Sequence, residues 1–212
     1  RTLAFVWIRY LQNRRDFPEA LKEVKRFDSE FPESHLAPSE KAVFSYIKGR
    51  SEYHQGEYIG ALELLDAAFS RTEATDLEFR SDILNTAASS FTDNLFFDHA
   101  DQLLSEALRI REQLGLAKKV ETLSAMGCVA LKKAHFSEAC ELFDQTLREM
   151  QKNGFIEEEN RILNYAAKGS IYKGDFARAS DLIEEALKKA GEKERDVAFS
   201  NSIKMSFFVK KK

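Results

Sequence analysis

The chain has 212 residues, of which 43% are hydrophobic, so it is long and apolar enough to bury a sizeable core and is not a disordered tail. Its 32 Lys and Arg against 35 Asp and Glu give a formal net charge of -3, which excludes a global basic field that would attract nucleic acid or a membrane surface. Two cysteines are too few for a disulfide scaffold, so we expect a cytoplasmic location.

Strong helix formers dominate the chain, and only 9 glycines and 3 prolines interrupt it, so the sequence predicts an all-α protein. Periodicity and turn signals place helices at about 1–14, 17–31, 38–55, 57–71, 76–94, 97–114, 117–134, 136–153, 156–173, 176–190 and 194–209. The opening segment RTLAFVWIRYLQ is too short and too charged for a signal peptide or a membrane span. Because the chain begins with Arg rather than Met, we expect it to be a piece of a longer protein.

A motif returns along the chain with a period of about forty residues. Its small residues, Ala20, Ala61, Ala100, Ala139 and Ala179, are separated by 41, 39, 39 and 40 residues. An aromatic residue stands three positions before each alanine, and a large apolar residue stands four positions after it. The aromatic residues are Phe17, Tyr58, Phe97, Phe136 and Phe176. These positions form one stripe of a helix, so we interpret them as core.

A second periodic segment precedes each of these helices from the second copy onward. It carries a small residue nine positions before the aromatic, at Gly49, Ala88, Gly127 and Ala167, as the close crossing of two helices requires. Each unit is therefore predicted to be an antiparallel helix hairpin. The five hairpins cover about 1–34, 38–73, 76–114, 117–153 and 156–190, and 191–212 is either a capping helix or the first helix of a truncated sixth repeat.

This pattern resembles the tetratricopeptide repeat (TPR) family. The motif residues are Gly49, Tyr58 and Ala61; Leu84, Ala87, Ala88, Phe91, Phe97 and Ala100; Leu123, Met126, Gly127, Phe136 and Ala139; Leu163, Ala166, Ala167, Phe176 and Ala179. The first repeat departs from the family pattern, with Ile8 in place of a small residue and Phe27 in place of alanine. The period also exceeds the family's usual one of about 34, which implies longer helices or turns.

The resemblance implies a right-handed superhelical solenoid of stacked hairpins, whose concave face is lined by the first helix of each pair. In the repeat register, that face holds the candidate peptide- or partner-binding residues Arg9, Tyr46, Arg50, Tyr53, Asn85, Ser89, Asn164 and Lys168. Asparagine amides offer a donor and an acceptor to an extended peptide backbone, and the cationic side chains could meet carboxylates on the ligand.

No pattern typical of a catalytic site occurs in the sequence. The four histidines are scattered without metal-ligand spacing, and no phosphate-binding loop or nucleophile motif is present. We therefore predict no enzymatic activity, no metal site and no cofactor.

The sequence favours a non-enzymatic scaffold that binds a protein or a peptide, with acidic groups on the ligand to match the cations. The alternative is the ligand- or peptide-sensing region of a bacterial transcription regulator. A third interpretation is self-association through the terminal helices, at the Trp7 end or at the Phe207–Phe208 end. Direct nucleic-acid binding is not expected, because VKKK at the C-terminus is an isolated basic run.

Overall fold

The computed structural model describes residues 2–13, 16–31, 35–154, 159–190 and 200–204, and this part of the chain contains helices and turns but no strand. The helices are α1 Thr2–Asn13, α2 Phe17–Glu30, α3 Pro38–Gln55, α4 Tyr58–Arg71, α5 Leu77–Asp93, α6 Phe97–Gln113, α7 Lys119–Lys132, α8 Phe136–Asn153, α9 Glu159–Lys173 and α10 Phe176–Ala190. Each begins and ends within three residues of the predicted position, and residues 200–204 include a further helical stretch. The odd-numbered helices are called first helices below, and the even-numbered ones second helices.

The repeated stripe of the second helices is buried, as the sequence predicts. The five motif alanines are at most 1% exposed, from Ala20 at 1% to Ala179 at 0%. The large apolar residues that follow them are also buried, with Leu104 and Phe143 at 0%. The repeated aromatic residues are only half-buried, because they lie at the beginning of each helix beside the turn. The motif therefore serves to pack each second helix.

The first hairpin replaces the small-residue crossing by an aromatic cluster. Ile8 and Phe27, the two departures from the repeat pattern, are 1% and 3% exposed. The Phe27 ring lies 4.8 Å from Phe5 and 4.9 Å from Phe44, centroid to centroid. In the first hairpin, bulky side chains thus fill the space at the positions where the other hairpins have small residues.

Each hairpin turn has the same hydrogen bond, from the backbone N–H of the residue just before the second helix to a carbonyl five positions earlier, in the last turn of the first helix. The turn after α3 has Glu57 N donating to Glu52 O at 3.0 Å, and the turn after α9 has Asp175 N donating to Ser170 O at 2.9 Å. This closure needs a left-handed residue, supplied by Gly56 at φ 86° and Gly174 at φ 86°. The turn fixes the antiparallel path of each hairpin.

Side-chain hydrogen bonds join successive first helices at nearly the repeat period. In the first half of the chain, the Gln12 amide donates to Ser51 Oγ at 3.0 Å, and the Tyr53 hydroxyl donates to Asp93 Oδ2 at 2.9 Å. In the second half, the Asn160 amide donates to Ser200 Oγ at 3.3 Å. The separations are 39, 40 and 40 residues, so these polar bonds follow the sequence period.

Residues 200–204 pack on the last hairpin. Ile203 is 6% exposed and joins the core cluster of Ala167, Ile171 and Ile183. The assignment of 191–212 as a cap or as the first helix of a sixth repeat stays a prediction, and most of that segment, including Phe207 and Phe208, lies outside the described residues.

The chain divides into two compact units, residues 1–110 and 111–212. In the first, Tyr46, Leu65, Ala68 and Ile83 form a core cluster between α3, α4 and α5. In the second, the side chain of Arg111 is 1% exposed and donates to Lys118 O and Thr122 Oγ1, both at 2.9 Å. The division into five hairpins remains a prediction from the repeat.

Candidate functional site

The first unit brings together five of the predicted binding residues on two successive first helices. Tyr46, Arg50 and Tyr53 lie on α3, and Asn85 and Ser89 lie on α5. This set is called the α3–α5 face below. Two side-chain hydrogen bonds hold the helices side by side, one from Tyr53 to Asp93 and a longer one, 3.5 Å, between the hydroxyls of Tyr46 and Thr86.

Tyr46 is buried on this face. Its side chain is only 4% exposed, and its ring meets Phe79 edge-on with centroids 5.3 Å apart. The half-buried Arg50 guanidinium lies 5.8 Å from the Tyr46 ring centroid, within the range of a cation–π contact. Tyr46 therefore positions the Arg50 cation on α3.

Tyr53 is already committed to a partner in the protein. Its hydroxyl donates to Asp93, which the sequence reasoning missed, although Asp93 stands one repeat period after Tyr53. The bond between Tyr53 and Asp93 joins α3 to α5.

Asn85 has a side-chain oxygen whose hydrogen bonding is incomplete. Its Oδ1 is buried, and no donor of the described residues lies within hydrogen-bonding distance of it. One turn later, the Ser89 hydroxyl donates to Asn85 O at 3.2 Å. A buried amide oxygen without a donor costs free energy, and a ligand N–H that reached it would recover that cost.

The remaining predicted residues lie elsewhere. Arg9 is half-buried on α1 of the first unit, and Lys168 is half-buried on α9 of the second. Asn164, in contrast, is 0% exposed: its amide donates to Asn160 O at 2.9 Å and to Ser200 Oγ at 2.8 Å. The register placed Asn164 on a ligand-facing surface, but here its donors are used inside the protein, because residues 200–204 pack against it.

The first unit also contains a crevice of about 460 Å³ between α2, α3 and α4, lined among others by Lys48, Ser51, Glu52 and Gly60. Burial raises the pKa of the Glu52 carboxyl, and the negative charges of Glu57 and Glu63 raise it further against the opposing effect of Lys48. The crevice has charges of both signs, so it gives no preference for a ligand of one charge.

Helix α1 presents an apolar stripe to solvent. Leu3, Val6, Trp7 and Tyr10 are 85%, 60%, 47% and 46% exposed, and they follow helical spacing. The Trp7 and Tyr10 rings stack with centroids 5.5 Å apart. Self-association through this end of the chain stays a prediction.

The described residues hold no group of three or more His, Cys, Asp or Glu side chains that could bind a metal ion. Within the same ranges, no helix has the length and hydropathy needed to cross a membrane.

No protein-family model matches the sequence. A comparison with curated proteins also finds no match. Solved structures do match. A Rap protein in complex with competence and sporulation factor superposes with a TM-score of 0.83 at 17% identity, over 94% of this chain and 56% of that one. Aspartyl phosphate phosphatase F from Bacillus subtilis gives 0.76 at 16% identity, over 95% and 53%.

A third solved structure carries nearly identical TPR-like repeats from Podosopora anserina and gives a TM-score of 0.63 at 15% identity, over 92% of this chain and 96% of that one. The chain has a TPR-like helical repeat fold. This TPR-like chain spans 56% and 53% of the Rap protein and the phosphatase that it matches, so it corresponds to about half of each.

Proposed function

We propose that the chain is a non-enzymatic scaffold that binds a peptide, or an extended segment of a protein, on the α3–α5 face. The observation that carries the proposal is Asn85 Oδ1, which is buried without a donor on this face. Extended peptides present unpaired backbone N–H groups, and such a group would complete the Asn85 hydrogen bond. The site therefore favours a ligand that brings donors.

The charge of the ligand follows from Arg50. The half-buried guanidinium over the tyrosine ring has N–H donors in a planar fork. A carboxylate side chain or a C-terminal carboxylate accepts two of these bonds at once. We propose that the peptide carries an acidic group that lies against Arg50 while its backbone lies against Asn85.

The structural likeness favours a regulatory version of this function. The Rap protein that this chain resembles was solved with competence and sporulation factor bound, so a protein of this fold carries a bound factor. We propose as the alternative that the chain is the sensing region of a bacterial transcription regulator, in which a signalling ligand biases an attached output domain. A full-length reading frame without any output domain would remove this alternative.

Peptide selection followed by affinity measurement tests the scaffold function. Short random peptides displayed on phage are selected on the immobilised chain, and an enriched peptide is labelled and titrated by fluorescence anisotropy. Arg50→Glu and Asn85→Ala are each expected to weaken its binding by roughly tenfold or more, because a charge-assisted bond and a buried hydrogen bond are lost.

Arg148→Glu is the matched control, since Arg148 is exposed on α8 of the other unit. It makes the same charge change without touching the α3–α5 face. Far-UV circular dichroism confirms that each variant is folded. If no peptide distinguishes the wild-type chain from the folded Arg50→Glu and Asn85→Ala variants, the proposed function is wrong.

A further inference from the structure

The turn between α5 and α6 breaks the repeat pattern at two consecutive positions. Hairpin turns elsewhere read Gly56-Glu57, Ala134-His135 and Gly174-Asp175, but this turn reads Leu95-Phe96. Leu95 has φ 66°, in the left-handed region that a bulky residue rarely occupies. The sequence thus has a large apolar side chain at a position where the backbone conformation favours glycine.

The second departure from the pattern is Phe96, which stands where the other turns have a polar residue before the helix. Asp16 and Asp175, at the equivalent position before α2 and α10, accept a hydrogen bond from a backbone N–H of the first turn. Phe96 has no acceptor with which to do this for α6. Two local preferences are therefore given up together, and deviations of this kind concentrate at functional sites.

Both side chains are exposed despite their size. Leu95 is 68% exposed and Phe96 is 57% exposed. Phe96 is held on one side by edge-on ring contacts with Phe91 and His99, at centroid distances of 6.4 and 6.3 Å. Ring contacts on one side fix the position of Phe96 and leave its other side open to solvent. An exposed aromatic side chain fixed in this way costs little entropy when it enters a pocket.

The stretch of sequence that contains the turn carries only negative charge. Between Arg80 and Arg109 the sequence contains five acidic residues and no Lys or Arg. Asp98, two residues after Phe96, is exposed on the first turn of α6. This charge would repel an anionic membrane surface and would favour a partner with positive charge.

We propose that Leu95 and Phe96 form an anchor that inserts into an apolar pocket of a protein partner whose rim carries Lys or Arg. This anchor lies at the hairpin tip and does not include any residue of the α3–α5 face. The partner contact is thus separate from the proposed peptide site, and the chain could hold a peptide and a second protein at different surfaces.

The experiment uses the full chain with Arg50→Glu and Asn85→Ala, so that ligands of the α3–α5 face are not selected. Short random peptides displayed on phage are selected on this background, and enriched peptides are titrated by fluorescence anisotropy. They are expected to combine aromatic or aliphatic residues with Lys or Arg. Adding Leu95→Gly and Phe96→Asp is expected to weaken their binding by roughly tenfold or more, although the new aspartate adds negative charge.

The melting temperature provides a second measurement, which distinguishes a binding role of Leu95 from a packing role. Leu95→Gly alone is expected to raise the melting temperature by about 2–4 °C, because glycine relieves the left-handed conformation, while it weakens peptide binding. The matched control is Ala134→Gly, at the equivalent turn with φ 62°, which should raise the melting temperature without changing binding. A fall in melting temperature for Leu95→Gly would assign Leu95 to packing and overturn the proposal.

Three further outcomes overturn it. The first is a set of enriched peptides that bind the Leu95→Gly, Phe96→Asp protein as tightly as the background. The second is dimerisation in sedimentation velocity that depends on the two residues, which would make the occupant a second copy of this chain. The third is cosedimentation with phosphatidylserine vesicles that is lost in the same variant, which would make it a lipid surface.

Discussion

At the scale of single residues, the repeat depends on small side chains where two helices cross. Gly127 on α7 faces Phe143 on α8, and a Cβ added at Gly127 would lie 2.6 Å from Phe143 Cε1. Phe143 is 0% exposed, so its ring has no free space to move into. Gly60 on α4 differs, because an added Cβ would meet the far end of the flexible Glu52 side chain.

Gly127→Ala is therefore expected to lower the free energy of unfolding by about 1–3 kcal/mol, since the methyl group overpacks a closed crossing. Gly60→Ala serves as the control and should leave stability unchanged or raise it by up to about 1 kcal/mol, because alanine is the better helix former. Urea denaturation followed by circular dichroism measures both. Equal destabilisation by the two substitutions would show that the crossing does not depend on Gly127.

A second residue-level prediction concerns pH. The pKa of Glu52 is raised in the folded protein, mainly by burial, so the folded state binds its proton more tightly than the unfolded state. Stability from this group is therefore present below the unfolded pKa and is lost as the pH rises through the folded one. Glu52→Gln should raise the urea midpoint at pH 7, and the gain should shrink towards zero below pH 4.5, the unperturbed value.

Exposed Glu141 on α8 provides the control for the removal of one negative charge. Glu141→Gln should change the urea midpoint little at either pH. A Glu52→Gln gain that persisted at low pH would have to come from a cause other than the raised pKa.

At the scale of helices, the core could be read from the sequence and the polar contacts could not. The burial of alanines such as Ala61 and Ala139 could be predicted because five copies of one apolar stripe align in register. Asn164 occupies a register position that resembles that of Asn85, and the Oδ1 of each is buried without a donor among the described residues. Asn164, however, is 0% exposed and bonded to Ser200, whereas Asn85 is only half-buried. That difference depends on the tertiary contacts of residues 200–204, which the periodicity of the apolar stripe does not predict.

The same segment gives a prediction at this scale. Ser200 Oγ accepts hydrogen bonds from both Asn160 and Asn164, so it fixes residues 200–204 to α9. Ser200→Ala is expected to cost about 1–2 kcal/mol of local stability and to speed amide exchange in residues 200–204 by roughly tenfold. Hydrogen–deuterium exchange with mass spectrometry measures this.

The control for this experiment is Asn201→Ala, since Asn201 is exposed on the same stretch. It should leave exchange in residues 200–204 and in α9 unchanged. Equal exchange in the Ser200→Ala and wild-type proteins would show that the two asparagines do not hold this segment.

At the scale of the whole molecule, the chain has a TPR-like helical repeat fold. The sequence predicted an all-α TPR-like fold, and the likeness to solved structures confirms it. The binding face was predicted from a register alone, which gives the helix face of a residue but not whether its hydrogen bonds are complete. Asn85 and Arg50 retain their place in the proposal for physical reasons that only the structure supplies.

The most direct test of the proposed peptide site is a footprint of a selected peptide on the whole chain. Amide hydrogen–deuterium exchange is measured with and without a peptide that binds the wild-type chain but not the Arg50→Glu variant. We predict slower exchange in α3 and α5, while α8 and α10 stay unchanged, since the ligand lies on first helices of the first unit. Slower exchange confined to second helices, or to the unit of residues 111–212, would contradict the assignment of the α3–α5 face.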